Sequence, residues 1–291
     1  MNDAWIDRNE FPFQSRFFNV PAGRLHYIDE GKADHALVMV HGNPTWSFSY
    51  RHLIKGLSDK YRCIAPDHIG FGLSDKPQDW DYLPESHAGN LKQLLDGLDL
   101  RSATMVVQDW GGPTGLSYAL ENPDKVTSVV IMNTWLWPVQ GDPHYERFSG
   151  FMGGFVGQFL IKRFNFFVRV VMKKAYGDRS KLTKSIHSHY IKALDTPQDR
   201  KGCAVFPKRI IGSSPWLADL WSQKEKLKSK PALILWGKKD IAFRDKELSV
   251  WKNTFDHVEV HEFDRVGHFV QEELGPALCP LINGFIDRAK G

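Results

Sequence analysis

Five short apolar runs, each followed by turn residues and then by a longer helix-like segment, constrain the fold of this chain more than any other feature. They are residues 36–40, 62–65, 104–107, 126–132 and 232–236. Apolar strands that alternate with helical crossovers predict an α/β fold, in which a mostly parallel sheet is flanked by helices on both faces. Ligands of such sheets bind beyond the carboxyl ends of the strands, so we expect the functional residues there.

Two departures from this alternation predict a sheet edge and an insertion. Residues 16–28 alternate aromatic and polar side chains around a proline–alanine–glycine turn, which predicts an antiparallel hairpin at the sheet edge. From 135 to 211 the chain is helical in pattern, aromatic and basic, and the alternation then resumes. We therefore interpret residues 1–134 and 212–291 as one α/β core, and residues 135–211 as an inserted helical lid that shuts water out of a site.

Composition argues against several classes of protein. With 42% hydrophobic and 25% charged residues the chain is typical of a folded globular protein. The first residues lack the sections of a signal peptide and no long uncharged apolar run follows, so we expect a cytoplasmic protein with no membrane partner. Cys63, Cys203 and Cys279 are far apart and odd in number, which argues against a disulfide framework and against a cysteine metal site.

One stretch has a strong charge asymmetry. Residues 151–210 hold 13 Lys or Arg against 3 Asp and no Glu, a sum of +10 in a chain whose net charge is +4. No recognisable nucleic-acid-binding module accompanies these charges, so we expect a solvated basic face and no nucleic-acid partner. Such a face can steer anions toward a cleft, an effect that salt screens.

The strongest chemical signal is an aspartate at the end of a buried-type strand. Residues 108–112 read Gln-Asp-Trp-Gly-Gly, after the apolar run 104–107 and before a helix-like segment. Strand, tight turn and helix give the geometry of a nucleophile elbow, with Asp109 in the place of the usual serine. An aspartate here can also simply cap the following helix, and the fragment alone leaves the two interpretations about equal.

Three other segments favour Asp109 as a nucleophile. Residues 41–46 follow the first parallel strand, where an oxyanion loop is expected, and the backbone amides of Asn43 and Trp110 would be its two donors. His268 lies in a glycine-marked loop near the end of the chain and is the predicted general base. Asp240 directly follows the run 232–236 and is predicted to orient the imidazole of His268.

The choice of base and acid rests on chain order, which runs nucleophile, acid, histidine. His41 precedes the nucleophile and is expected to support the loop instead. Asp245 is the second choice for the acid, because it lies deeper in a charged, helix-like segment.

Together these segments resemble the haloalkane dehalogenases of the α/β-hydrolase fold over nearly the whole chain. The matching segments are residues 41–46, 108–112, 236–240 and 267–269. The resemblance implies that the indole of Trp110 and the side chain of Asn43 bind the departing halide. It also implies a small haloalkane and water as substrates, and no metal or organic cofactor.

The resemblance also concerns the acid and the lid. Some family members place the triad acid after the strand that follows the nucleophile helix, but here that place reads Met132-Asn133-Thr134 and has no acid. Asp240 therefore fits the other family arrangement. Some members add a lid tryptophan to the halide site, for which Trp137 is a candidate.

A carboxylate nucleophile predicts displacement at saturated carbon, because the ester that it forms has a carbonyl that water can attack. We therefore expect hydrolysis of carbon–halogen bonds through an aspartyl ester, giving alcohol, halide and a proton. One alternative is an epoxide hydrolase, in which Tyr145, Tyr176 or Tyr190 of the lid would protonate the leaving oxygen. Another is a non-catalytic small-molecule receptor of the same fold.

The shape of the pocket follows less directly from the sequence. We expect lid phenylalanines to shape it, namely Phe155, Phe166, Phe167 and Phe206. The preferred halogen, the chain length of the substrate and the oligomeric state do not follow from the sequence. His187 and His189 in the lid lack a matching carboxylate set, so we expect packing roles for them and no metal.

Overall fold

Eight strands form one sheet in the computed structural model, which describes residues 4–289. In chain order they are β1 (Arg16–Val20), β2 (Gly23–Glu30), β3 (His35–Val40), β4 (Arg62–Pro66), β5 (Ser102–Gln108), β6 (Val126–Met132), β7 (Ala232–Gly237) and β8 (Val258–Phe263). Their order across the sheet is β1-β2-β4-β3-β5-β6-β7-β8. The hairpin β1-β2 is antiparallel and forms one edge, as predicted, and β3 to β8 run parallel.

The central strands are buried along their whole length. Every residue of β3 and β7 is buried. Since successive side chains of a strand point to opposite faces, this burial means that both faces of the sheet are covered. The edge strand β8 is only half-buried and alternates apolar and polar residues. β6 coincides with its predicted apolar run, whereas β3, β4 and β7 are one residue longer than theirs and β5 is three residues longer.

Helices connect and cover these strands. Along the described residues they are α1 (Arg51–Leu57), α2 (Pro84–Gly97), α3 (Gly111–Glu121), α4 (Pro143–Gly153), α5 (Phe155–Phe164), α6 (Met172–Ala175), α7 (Lys184–Ala193), α8 (Lys201–Gly212), α9 (Ser214–Ser222), α10 (Glu225–Lys228), α11 (Asp245–Lys252), α12 (Val270–Glu273) and α13 (Leu278–Ala289). A single π-helical turn, Phe167–Val171, lies between α5 and α6. None of the helices in residues 4–289 combines the length and the hydropathy needed to cross a bilayer.

The chain between β6 and β7 contains helices and no strand, and all of its residues are described. Within it, α4 packs against both α5 and α8. The helix α8 ends at Gly212, one residue after the predicted end of the lid, and α9 continues the helical stretch. The division into core and lid stays a prediction.

Candidate active site

Asp109 lies at the sharp turn between β5 and α3. Its φ is 51°, in the left-handed region that non-glycine residues rarely adopt. Two hydrogen bonds hold this conformation: the Asp109 amide donates to the Asn133 carbonyl at 3.1 Å, and the Thr134 hydroxyl donates to the Asp109 carbonyl at 2.5 Å. A Cβ at Gly111 would lie 1.9 Å from the Val40 carbonyl oxygen, so only glycine fits there. A strained turn of this kind is typical of a nucleophile elbow.

The carboxylate of Asp109 faces two backbone amides. The Asn43 amide donates to Oδ1 at 2.8 Å, and the Trp110 amide also points at the carboxylate. Burial raises the pKa of Asp109 above its ordinary value, although the neighbouring His268 and the two amides act in the opposite direction. The same pair of donors is placed to stabilise negative charge on this carboxyl group during a reaction.

His268 lies between two carboxylates. Its Nδ1 is 2.8 Å from Oδ2 of Asp240, and its Nε2 is 3.6 Å from Oδ2 of Asp109. Because an ionised carboxylate only accepts hydrogen bonds, Nδ1 carries the proton and Nε2 holds the lone pair. Burial lowers the pKa of His268, but the charges of Asp240 and Asp109 outweigh it and raise this pKa above its ordinary value.

Asp240 is fixed by partners that the sequence did not reveal. Its Oδ2 accepts a hydrogen bond from Nδ2 of Asn133 at 2.8 Å, and its Oδ1 accepts one from the Ala242 amide at 2.7 Å. Asn133 is itself clamped by two hydrogen bonds to the backbone of Gly237. Asn133 lies where some family members have the triad acid, and in this chain it positions Asp240 instead.

Gln108, directly before Asp109, was also missed by sequence analysis. Its Nε2 lies 2.8 Å from Nε2 of His268 and 3.2 Å from the His268 carbonyl oxygen. The carbonyl can only accept, so the NH₂ end of the amide faces His268 and donates to it. The signal available in the sequence was a polar residue at the end of a mostly apolar run, directly before the predicted nucleophile.

A cavity of about 110 Å³ opens above the Asp109 carboxylate. Its wall is mainly apolar and aromatic, and it is formed by Asn43, Asp109, Trp110, Trp135, His144, Tyr145, Phe148, Phe167, Val171, Met172, Ala175, Pro207, Ile210, Ile241, Ala242, Phe243, His268 and Phe269. Four of the five predicted site residues therefore reach the cavity. The fifth, Asp240, lies behind His268 with its side chain fully buried.

Trp110 and Asn43 lie in the cavity wall beside the carboxylate of Asp109. The ring of Trp110 makes an edge contact with Trp135, with ring centroids 4.6 Å apart. Nδ2 of Asn43 lies 3.5 Å from the Cys203 carbonyl, at the long limit of a hydrogen bond. Such a weak contact leaves this amide able to donate to a ligand in the cavity.

Trp137, the tryptophan that the sequence suggested for the halide site, lies outside the cavity wall. Trp137 does not line the cavity, because it packs against Trp221 and Trp251 at centroid distances of 5.0 and 5.1 Å. Trp135, two residues earlier, lines the cavity instead. The sequence contains both residues close together and does not tell which one faces inward.

The expectation for the lid phenylalanines was wrong for three of four residues. Phe167 lines the cavity. Phe155 points to solvent with 89% of its surface exposed, Phe206 packs behind Trp110, and Phe166 is outside the cavity wall.

Among the lid tyrosines only Tyr145 lines the cavity. The Tyr190 hydroxyl donates to the buried carboxylate of Glu272, and Tyr176 is buried outside the cavity wall. Burial, together with the charge of Glu247, raises the pKa of the Tyr145 phenol far above its ordinary value. Tyr145 is therefore the one candidate acid of the three that a ligand in the cavity would meet.

The chain is similar in sequence to a known family and to several known proteins. Residues 35–273 match the sequence model of the α/β hydrolase fold family. The chain is similar to haloalkane dehalogenase 2 of Mycobacterium tuberculosis H37Rv, with 39% identity over 96% of this chain and 97% of that protein. It is also similar to a cis-3-alkyl-4-alkyloxetan-2-one decarboxylase of Shewanella oneidensis MR-1, with 34% identity over 94% of this chain and 89% of that protein.

The fold has close counterparts among solved structures. The haloalkane dehalogenase DatA from Agrobacterium tumefaciens C58 superposes with a TM-score of 0.84 at 25% identity. The match covers 95% of this chain and 97% of DatA. The fold is therefore shared with a solved haloalkane dehalogenase over 95% of this chain.

Proposed function

The chain belongs to the haloalkane dehalogenases of the α/β-hydrolase fold, and from this premise we propose that it hydrolyses the carbon–halogen bond of small haloalkanes through an ester on Asp109. One observation carries the proposal: the Asp109 carboxylate stands at an apolar cavity, with His268 on one side and two backbone amides on the other. We assign Asp109 as nucleophile, His268 as general base, Asp240 as its orienting acid, and Asn43 and Trp110 as halide donors.

In the first step a carboxylate oxygen of Asp109 attacks the carbon that bears the halogen. The C–O bond forms as the C–X bond breaks, and the halide leaves with the bonding electron pair. An anion that forms in an apolar cavity needs donors, and Trp110 and Asn43, which line the cavity together with Asp109, carry an indole N–H and a side-chain amide that can serve. The donors interact more strongly with the departing halide than with the neutral substrate, so they accelerate the step.

In the second step water attacks the carbonyl carbon of the Asp109 ester. Nε2 of His268 takes a proton from this water, and Asp240 stabilises the imidazolium through Nδ1. Negative charge develops on the former carboxylate oxygen, where the Asn43 and Trp110 amides lie. Collapse of this intermediate releases the alcohol and restores the Asp109 carboxylate, and His268 loses its extra proton to solvent.

Gln108 would keep the base in its reactive state. Its NH₂ group donates to the lone pair of His268 Nε2, which stabilises the neutral imidazole and disfavours the imidazolium. This donor opposes the two carboxylates, which raise the pKa of His268. It would also help to expel the proton once the ester is hydrolysed.

The cavity supports a small substrate. Drug-sized ligands occupy pockets of roughly 300–1,000 Å³, whereas this cavity offers about 110 Å³. We propose that residues 135–211 act as its lid, since Phe148, Phe167 and Met172 roof it. The apolar wall favours a haloalkane of few carbons and excludes water while the halide leaves.

Two other activities use the same nucleophile. The similarity to an oxetan-2-one decarboxylase favours a β-lactone as a second candidate, because a carboxylate can attack the saturated ring carbon that bears the lactone oxygen. Two long alkyl chains would exceed the present cavity. Epoxide hydrolysis would depend on Tyr145 alone, since the other two lid tyrosines do not line the cavity.

The test is a product assay on four substrates with the purified chain: 1-bromobutane, 1,2-dibromoethane, 1,2-epoxybutane and a cis-3,4-dialkyloxetan-2-one. We expect bromide and alcohol in equal amounts from the bromoalkanes, and little diol or alkene from the other two. Alkene from the lactone without any bromide release would assign the site to decarboxylation instead. Diol from the epoxide alone would assign it to epoxide hydrolysis.

A further inference from the structure

The outer surface of the lid carries an unusual concentration of exposed apolar side chains. Seven large hydrophobic residues among the described residues are strongly exposed, and five of them lie within residues 151–164, each between 53% and 89% exposed. We name them the aromatic lid patch, and they are Phe151, Phe155, Val156, Phe159 and Phe164. Phe159 and Phe164 contact each other with ring centroids 5.8 Å apart, and large exposed apolar patches mark interaction surfaces, unlike scattered single residues.

The patch belongs to a helix whose inner face is firmly packed. On α5, Gly157 and Ile161 are buried. A Cβ at Gly157 would lie 2.3 Å from the Phe151 carbonyl oxygen, which shows how closely α5 approaches the end of α4. Because this inner face fixes the helix, Phe155 and Phe159 must stay on the solvent side. The fold itself therefore exposes them.

Positively charged residues are concentrated along the chain around the patch. Between residues 147 and 177 there are six Lys or Arg and no Asp or Glu. All six are exposed, and they are Arg147, Lys162, Arg163, Arg169, Lys173 and Lys174. The net charge of the whole chain is +4, so the residues outside 147–177 have a net charge of −2. This one segment therefore makes the chain basic.

We propose that the aromatic lid patch docks on an anionic lipid surface. Phenylalanines on one side of an amphipathic helix enter the boundary between headgroups and acyl chains, and flanking Lys and Arg bind lipid phosphates. A second copy of the chain fits less well, because a two-fold pairing of this face would place the two sets of cations opposite each other.

Docking would bring the cavity close to the membrane. The π-helical turn Phe167–Val171 follows α5 almost directly, and both of its end residues line the cavity. Apolar haloalkanes leave water for a bilayer, so a docked lid would meet substrate where it is concentrated. This consequence rests on the proposed function, whereas lipid binding does not.

The experiment is sedimentation of the full chain with vesicles of phosphatidylcholine, with and without added phosphatidylglycerol. We expect binding to the anionic vesicles, weaker binding to phosphatidylcholine alone, and a loss of binding as salt rises. The double variant Phe155→Ser and Phe159→Ser should bind on the order of tenfold or more weakly. The pair Lys162→Glu and Arg163→Glu should also lose on the order of tenfold or more, and only on anionic vesicles.

The matched control is Phe17→Ser, which removes an exposed phenylalanine from β1, far from α5 in the chain. It should bind as the parent does, and all variants should release bromide from 1-bromobutane at the parent rate in vesicle-free buffer. Equal binding by the parent and the Phe155/Phe159 variant would overturn the proposal. The patch would instead be an interface with a second copy if the parent does not bind anionic vesicles but sediments as an oligomer, and the patch variants sediment as monomers.

Discussion

The carboxyl edge of the sheet and the lid form opposite walls of one cavity, yet they are built differently. At the sheet edge, short hydrogen bonds join Asp109 to Asn43 and His268 to Asp240. Residues 135–211 supply mainly apolar and aromatic side chains to the wall, and His144 there is 2.9 Å from the Ala242 carbonyl oxygen. We propose that the edge determines which reaction occurs, and that residues 135–211 determine which molecule enters.

This division predicts that substitutions at the edge change the chemical rate, whereas substitutions in the lid change substrate affinity. The largest effect should come from Asp109→Ala, which removes the atom that forms the ester. We expect halide release to fall by about 10⁴-fold or more with the fold retained. The measurement is bromide release from 1-bromobutane, with circular dichroism to verify folding.

The exposed acid Asp245 supplies the matched control for that variant. Asp245→Ala should keep the parent rate, because Asp240 and not Asp245 accepts the hydrogen bond from His268. If the folded Asp109→Ala protein released bromide at the parent rate, Asp109 would not be the nucleophile.

A smaller effect is expected for Trp110→Phe, which deletes one halide donor and keeps an aromatic ring. Loss of one such donor costs on the order of 10²-fold in rate. Rapid-mixing measurement of the first bromide released should show this loss. Trp137→Phe should leave the rate unchanged, because Trp137 packs away from the cavity. Equal rates in the two variants would argue against Trp110 as a donor.

The sequence predicted the edge better than the lid for a physical reason. Asp109 is recognisable because its strand, turn and helix are adjacent in the chain, and chain order then pointed to Asp240 and His268. Gln108 meets His268 across 160 residues, and Asn133 meets Asp240 across 107, so no local pattern reveals these contacts.

Lid side chains are harder still to assign from sequence. A helix in this region has apolar residues on more than one face, as Phe155 and Ile161 on α5 show. Periodicity therefore does not tell which phenylalanine faces the cavity. The same applies to Trp135 and Trp137, whose different environments depend on how the chain leaves β6.

The pH dependence should separate the two chemical steps. Alkylation needs ionised Asp109, whereas ester hydrolysis needs neutral His268, whose pKa lies above the ordinary 6.5. Hydrolysis should therefore be lost as pH falls through the pKa of His268. Removing the Gln108 donor in Gln108→Leu destabilises the neutral imidazole and raises the pKa of His268 further.

We expect this variant to move the acid limb of ester hydrolysis upward by roughly half to one pH unit. Single-turnover kinetics across pH, together with NMR titration of the His268 ring, would measure the shift. If the acid limb of ester hydrolysis stays at the parent pH or moves to lower pH, Gln108 does not stabilise the neutral form of His268.

The smallest effect should come from the lid. Phe167→Leu shortens one wall of the cavity, and we expect KM for 1-bromobutane to change roughly fivefold with little change in kcat. Phe166→Leu is the neighbouring control and should change neither constant, because Phe166 does not line the cavity. A large fall in kcat for Phe167→Leu would contradict the division between edge and lid.

The central claim, an ester on Asp109 that only His268 can resolve, is tested most directly by intact-protein mass spectrometry of His268→Gln after exposure to 1-bromobutane. Alkylation needs no base, so the variant should release about one bromide per active site, stop, and become heavier by one butyl group on the peptide that contains Asp109. His144→Gln, which changes another histidine of the same cavity, should turn over repeatedly and gain no mass. Multiple turnovers by folded His268→Gln, or a protein that never gains the butyl group, would contradict the aspartyl-ester account.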